Sequence, residues 1–379
     1  MLINLTEEQK MIRDMAREFT KNEIEPRDKW MDENGFDFDL YKKVVDAGFM
    51  GINIPEEYGG GGGSAIDTTI IVHEFAKGSA SEATFLDAHW MAADLVLFHG
   101  TDDQKKKYLP QACAGKIFAF GLTEASAGSD AAGIKSTAVR SADGGWVLNG
   151  GKAWITNSGV ADYYIILAMT DASKGNHGIS AFIVPKDAEG LTVGKFEQKM
   201  GIRGTATCEL AFDNIRLPAD ALLGKEGDGF MMAMAALDGG RISVAAICAG
   251  VSEHAMTVAK DYANSRIAFG KPIAAFQGLS FRFAEMATDI KVMEMLAFDA
   301  AAMKDSGKRC TVDAAEAKLF AANHSLQICI DAQQVLGGNG YSKEYHVERF
   351  VRDARIFSVA EGTNEILRMI ISGSVLAKK

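Results

Sequence analysis

Polar and apolar positions along the chain fall into three regimes. Over the N-terminal part the apolar positions recur at helical spacing. Met11, Ile12, Met15, Ala16 and Phe19 share one face, and Thr6 with Gln9 forms a capping-box pair ahead of them. Thr101 and Gln104 repeat that pair just after Gly100, which is expected to end the preceding helix. From 121 to 228 the apolar runs shorten to strand length, at 146–148, 163–169, 179–184 and 208–212. Turn residues separate them at 143–145, 149–151 and 174–176. Beyond 229, the Ala- and Met-rich segments 229–262, 276–305 and 312–336 are apolar around most of their circumference, as expected of helices buried in a bundle or an oligomer interface. The pattern predicts an α+β chain with an N-terminal helical domain at 1–120, a middle antiparallel β domain at 121–228 and a C-terminal helical bundle at 229–379.

Composition narrows the function classes. A chain of 379 residues, 47% of them hydrophobic, can bury a sizeable core, which speaks against disorder. Its net charge of −10 argues against nucleic acid, although a few local Arg residues or a helix N-terminus suffice to hold a phosphate. The five cysteines are scattered without a CxxC pair, which suits free thiols in a reducing cytoplasm. The seven histidines show no metal-ligand spacing, so no metal is expected. The opening MLINLTEEQKMIRDM reads as a helix rather than a targeting segment, and no apolar stretch is expected to span a membrane. The glycine run 59–63 lacks the Lys-Ser/Thr of a phosphate loop and reads as a flexible connection.

Five segments carry candidate chemistry: Phe120-Gly-Leu-Thr-Glu-Ala-Ser-Ala-Gly-Ser129, Lys152-Ala-Trp-Ile-Thr-Asn157, Arg266-Ile-Ala-Phe-Gly270, Gln334-Val-Leu-Gly-Gly338 and Glu361-Gly-Thr-Asn-Glu365. Small residues in the first let the backbone approach a flat, polar ring edge. Arg266 is a natural partner for a diphosphate, being planar and always charged. Glu361, taken alone, reads as a helix cap or dipole partner. In a water-poor pocket such a Glu gains proton affinity and becomes a stronger base.

In this order, across nearly the whole chain, the five segments resemble the signatures of the acyl-CoA dehydrogenase family. The resemblance implies an FAD enzyme that interconverts a CoA thioester and its 2-enoyl counterpart. It makes Glu361 the base for the α proton, opposite a hydride transfer from the β carbon to flavin N5. It puts Leu122 and Thr123, with Phe120 and Gly128 beside them, at the flavin pyrimidine. Ser129 falls between cofactor and CoA, Trp154 and Ile155 at the ring, and Thr156 at N5. Arg266, Phe269, Phe276, Gln277, Gln334, Val335, Gly337 and Gly338 would reach the FAD of a neighbouring subunit, implying a homotetramer built as a dimer of dimers. Thr363 and Glu365 would contact FAD, Asp238 and Arg241 would hold the adenosine and pantetheine end of CoA, and Ala360 and Gly362 would lie beside the reacting thioester.

Some relatives carry the base at the position of Gly240, which cannot take a proton, so Glu361 has no competitor there. Ala360 stands where Tyr is common, and Trp90 is unusually bulky for its place. Ala360 predicts a pocket widened near the reacting carbons and Trp90 an aromatic on which a flat aryl group stacks, with an aryl-propenoyl-CoA reductase as the alternative to a dehydrogenase of plain acyl chains. The family's redox partner is an electron-transferring flavoprotein. A non-catalytic flavin-binding relay subunit is the second alternative, and an altered base would be its mark.

Overall fold

The structure is a computed structural model that describes residues 5–377; Met1 to Asn4 of the opening segment lie outside it. Among the described residues six α-helices come first: α1 (Glu7–Phe19), α2 (Asp28–Asn34), α3 (Phe38–Asp46), α4 (Ala65–Ala76), α5 (Ala80–His99) and α6 (Asp102–Cys113). Both expected capping boxes are present. Thr6 and Thr101 each accept from the backbone N–H three residues on, and Gln9 and Gln104 return the bond. The glycine run is pinned rather than loose. The amides of Gly60, Gly61, Gly62 and Gly63 donate to Pro55, Gly51, Ile54 and Ile52, and a Cβ on Gly60 would meet the Ile54 carbonyl oxygen at 2.0 Å. Only glycine fits that crossing.

Eight strands follow: β1 (Phe118–Gly121), β2 (Thr137–Arg140), β3 (Trp146–Thr156), β4 (Tyr163–Met169), β5 (Ile179–Pro185), β6 (Leu191–Val193), β7 (Thr207–Leu217) and β8 (Leu222–Leu223). They form one sheet of order β6-β7-β3-β2-β4-β5-β8, with β1 added on β4. The sheet is mixed, which corrects the antiparallel expectation. β1 runs parallel to β4, Phe118 opposite Tyr163, and β2 meets β4 in parallel at Thr137 and Met169. Local turns announce only hairpins, whereas a parallel pair is joined by a long excursion that leaves no turn signal. Here the excursion is the β2–β3 hairpin.

A short hairpin, β9 (Ile267–Ala268) and β10 (Lys271–Pro272), interrupts the last helices: α7 (Gly229–Ser265), α8 (Gln277–Asp305), α9 (Thr311–Val335), α10 (Val347–Ala354) and α11 (Asn364–Val375). α7 contains an 18-residue window of mean hydropathy 1.4, so by length and composition it could cross a membrane, contrary to the sequence expectation. That window is 72% buried within the fold, where α7 packs against α4, α5, α8 and α9. It is a core helix. Its buried face reads Ile242, Ala245, Ala246, Ala249 and Gly250, small residues that let neighbouring helices approach closely. Gly250 in particular faces the His73 carbonyl, which an added Cβ would meet at 2.3 Å.

Candidate active site

The first two motifs meet at one end of the sheet. The Ala153 amide donates to the Thr123 carbonyl at 2.9 Å, and Lys152 Nζ donates to the Leu122 carbonyl at 3.0 Å and to Glu124 Oε1 at 2.7 Å. Glu124 also accepts from the Lys135 and Ser136 amides. Burial pushes the Lys152 ammonium down to about 8 against the pull of Glu124. This buried ion pair locks the loop after β1 onto β3, and motif reading missed it.

Immediately beyond it, the β3–β7 register slips between Lys152 and Ile155. Bulges of this kind re-aim side chains. Trp154 takes φ 61°, a left-handed conformation that costs an ordinary residue about 1–2 kcal/mol, and its indole is left 63% exposed. Ile155 turns into the core, Thr156 is half-buried, and the buried Asn157 donates through Nδ2 to the Phe85 carbonyl at 3.0 Å. Leu122 is buried, Phe120 and Thr123 are half-buried, and Gly128 and Ser129 are exposed. A strained strand thus presents a bare indole beside two half-buried hydroxyls.

A second cluster surrounds Glu361, just before α11. Thr363 caps that helix by accepting from the Ile366 amide. Glu361 and Gly362 have φ of 56° and 90°, and two cations hold the turn from below. Arg241 Nε donates to the Glu361 carbonyl at 3.1 Å. Lys318 Nζ donates to the Gly362 carbonyl at 2.8 Å. Glu361 is half-buried, and one oxygen of its carboxylate, Oε2, is shut off from solvent and, among the described residues, has no hydrogen-bond partner. Burial raises the Glu361 pKa, and Arg241 and then Lys318 pull against that shift.

The Glu361 carboxylate faces Gly240 on α7. A Cβ there would lie 2.9 Å from Oε2 and 3.3 Å from Met91 Sδ. Glu361 and Gly240, the two positions that the family resemblance offers for a base, therefore converge on one spot. Asp87, one turn before Met91 on α5, is buried beside this site. Its carboxyl is pushed up to about 8, first by burial and then by the Glu361 charge.

Arg241 and Asp238 have internal partners. Arg241 is 4% exposed and donates to Asp238 Oδ1 at 2.8 Å, while Thr311 donates to Asp238 Oδ2 at 2.6 Å. In this chain the pair braces the Glu361 turn. Ala360 and Gly362 are half-buried beside it. Trp90 departs from expectation. It is 3% exposed and donates to the Phe49 and Met50 carbonyls, so its ring belongs to the core. On a helix, positions 87 and 91 share a face while 90 points about 100° away from 91. The indole therefore lends no support to an aryl-stacking pocket.

The third group lies elsewhere. Arg266, Val335, Gly337 and Gly338, with Tyr262 and Ile273, line a cleft of about 310 Å³. Phe269, 96% exposed, stands edge-on to Phe276 at 6.0 Å, and Gln277 and Gln334 are exposed nearby in sequence. Glu365, exposed on α11, pairs with Arg368. Arg266 follows the last residue of α7, 25 residues after Arg241, which at 1.5 Å per residue is roughly 37 Å along the helix. One chain does not bring this cleft to Glu361.

Away from all three groups, His73, Glu253 and Glu294 offer ligand atoms within 4.8 Å of one another, an arrangement no spacing motif announced. Lys77 Nζ already stands 2.9 Å from Glu253 and supplies positive charge there.

To the buried carboxylate oxygen without a partner and the bare indole at a strained sheet end, the comparisons with known proteins add a class: flavoprotein oxidoreductases acting on CH–CH bonds. Family models described as the N-terminal, middle and C-terminal domains of acyl-CoA dehydrogenase match residues 6–116, 119–215 and 227–376. This chain belongs to the acyl-CoA dehydrogenase family.

It is 45% identical over 375 residues to a short-chain specific acyl-CoA dehydrogenase of Clostridium acetobutylicum, covering 98% of this chain and 99% of that one. It is 41% identical over 377 residues to a subunit of a caffeyl-CoA reductase–Etf complex of Acetobacterium woodii, covering 98% and 99%. The structure of butyryl-CoA dehydrogenase from Megasphaera elsdenii superposes with a TM-score of 0.97 at 42% identity, covering 100% of both chains.

Proposed function

We propose that this chain is an FAD-dependent acyl-CoA dehydrogenase that also runs as an enoyl-CoA reductase, with Glu361 as its base. The observation that carries the reading is the orphaned, buried Oε2 of Glu361 aimed at the side-chain-free Gly240. A buried carboxylate oxygen with no partner is costly unless a ligand completes it. A thioester whose α carbon comes up to Oε2 would give that oxygen an acidic C–H to meet.

The residues of the sheet end fit a flavin. Trp154 offers a bare aromatic surface, and Thr123 and Thr156 offer hydroxyls beside it. The bound FAD would supply the two-electron acceptor for the β hydride. Glu361 takes the α proton, and its buried setting raises its proton affinity while Arg241 and Lys318 keep the ionised form accessible. The strained turn at Glu361 and Gly362 leaves backbone amides free to meet the thioester oxygen.

The roughly 37 Å between Arg241 and Arg266 favours a cofactor shared between chains, with the Arg266 cleft serving a neighbour's FAD in a homotetramer. An electron-transferring flavoprotein would be the redox partner, as the name of the A. woodii relative suggests for that protein. Five unpaired cysteines suit the cytoplasm. The test is an anaerobic titration of the purified protein with acyl- and enoyl-CoA thioesters. Acyl thioesters should bleach the flavin absorbance, and enoyl thioesters should restore it after chemical reduction. A flavin unmoved by every thioester would refute the proposal.

A further inference from the structure

Three helices far apart in the sequence meet around one imidazole. His73 lies in the last turn of α4, which packs against both α7 and α8. It is 2% exposed, and among the described residues neither of its ring nitrogens has a hydrogen-bond partner. Its Nε2 faces two carboxylates: Glu294 Oε1 on α8 stands 3.4 Å away, and Glu253 Oε2 on α7 stands 3.7 Å away. The three residues offer ligand atoms that all lie within 4.8 Å of one another. Glu253 is the most exposed of them and opens the group to solvent.

An imidazolium would donate from both nitrogens, and this ring is aligned to donate from neither. An unprotonated Nε2 presents a lone pair to two anionic oxygens, which is repulsive unless a cation stands between them. In a tetrahedral zinc site, bonds of about 2.0–2.2 Å put neighbouring ligand atoms about 3.3–3.6 Å apart, close to both Nε2 distances. The charges ask for the same thing. Glu74, Glu253 and Glu294 are met by Arg17 and Lys77, which leaves one negative charge in excess. Lys77 is the local competitor, with Nζ 2.9 Å from Glu253 Oε2 and 3.2 Å from Glu74 Oε1. Its stem is flexible, and Glu74 can keep the ammonium while Glu253 turns to an ion.

We propose that His73, Glu253 and Glu294 form a structural site for a divalent ion of the zinc kind, which staples α4 to α7 and α8. One imidazole and two carboxylates suit zinc, whereas Mg²⁺ and Ca²⁺ take oxygen ligands alone. Water completes the tetrahedron on the exposed side. Glu74 Oε1, 3.9 Å from His73 Nδ1, lies where a carboxylate orients a metal-bound ring from behind. Glu253 follows Arg241 on α7 by 12 residues, roughly 18 Å along the helix, so the ion acts on stability and leaves turnover alone.

The test titrates chelator-dialysed holoenzyme with zinc chloride by calorimetry and melts it with and without the metal. Wild type should bind one zinc per chain with a micromolar Kd, and zinc should raise its melting temperature by about 3–6 °C. Magnesium chloride should do neither. His73→Gln and Glu294→Gln should each weaken zinc binding by about a hundredfold or more, with flavin content and thioester reduction unchanged. Lys77→Met removes the competing ammonium and should tighten binding about five- to tenfold. Where a buried variant does not fold, the partly exposed Glu253→Gln, expected to lose zinc, and Lys77→Met decide the matter. A wild type that binds no zinc, binding that survives the ligand substitutions, or binding weakened by Lys77→Met would overturn the proposal.

Discussion

Replacing Lys318 with Met should cost activity while leaving stability nearly unchanged, because two opposing effects of similar size meet at this residue. Lys318 is fully buried, and its Nζ donates to the Gly362 carbonyl at 2.8 Å and to Asn364 Oδ1 at 3.4 Å. Removing it leaves a buried carbonyl short of a charge-assisted bond, a loss of about 1.5–3 kcal/mol. Against this, burial pushes the Lys318 ammonium from 10.5 down to about 8, so holding it charged at neutral pH costs roughly 3 kcal/mol. Met keeps the length of the stem and avoids a large cavity.

The net change in folding free energy should therefore stay within about 1–2 kcal/mol. Its pH dependence has a defined sign. A depressed ammonium penalises the folded wild type increasingly as pH falls from 10.5 to about 8 and by a constant amount below that, a dependence that the variant lacks. Function should fare worse. The turn carrying Glu361 loses one of its two supports, and misplacing a catalytic group by about 1 Å costs on the order of a hundredfold. Glu361 also loses a cation that holds its pKa down, so the acid limb of kcat/KM should move to higher pH. Thermal melts and a kcat/KM–pH profile on a reactive thioester check both halves. Wild-type kinetics with an unmoved acid limb, or a loss of more than about 5 kcal/mol in stability, would refute the reasoning.

Three further outcomes are expected. Glu124→Ala leaves the Lys152 ammonium buried without its partner and should destabilise the protein by about 3–5 kcal/mol in denaturant unfolding, with Lys152→Met in the same chain restoring much of the loss. Gly240→Ala puts a methyl 2.9 Å from Glu361 Oε2 and should lower kcat/KM about ten- to a hundredfold at nearly constant melting temperature. Asp87→Asn should stabilise the fold by about 1–3 kcal/mol at pH 8 and by less at pH 5. The raised carboxyl favours folding only below its unfolded pKa, and that contribution is lost as pH climbs towards about 8.

Local signals in the sequence were read where local chemistry decides the structure. Thr6 and Thr101 cap helices because a hydroxyl three residues from a Gln satisfies two free amides without help from the rest of the fold. The run Tyr163–Met169 is a strand because nothing but a sheet suits seven apolar residues between turns. The parallel pairing of β1 with β4 depends on where a distant strand returns, and no residue near Phe118 encodes it. α5 was legible as a helix, yet it is buried on nearly every side, so its apolar pattern cannot say which face meets the site. That is why Trp90 drew attention and Asp87 did not. Lys318 sits in mid-helix on α9 with no motif around it, and only the fold brings it beneath Gly362.

The most direct test is exchange of the α protons of an acyl thioester with deuterium from solvent, followed anaerobically by mass spectrometry in wild type and Glu361→Gln. Wild type should exchange them, while the variant should fold, remain yellow, bind the thioester and leave its α protons in place. A Glu361→Gln protein that exchanges at the wild-type rate would show that another group removes the proton.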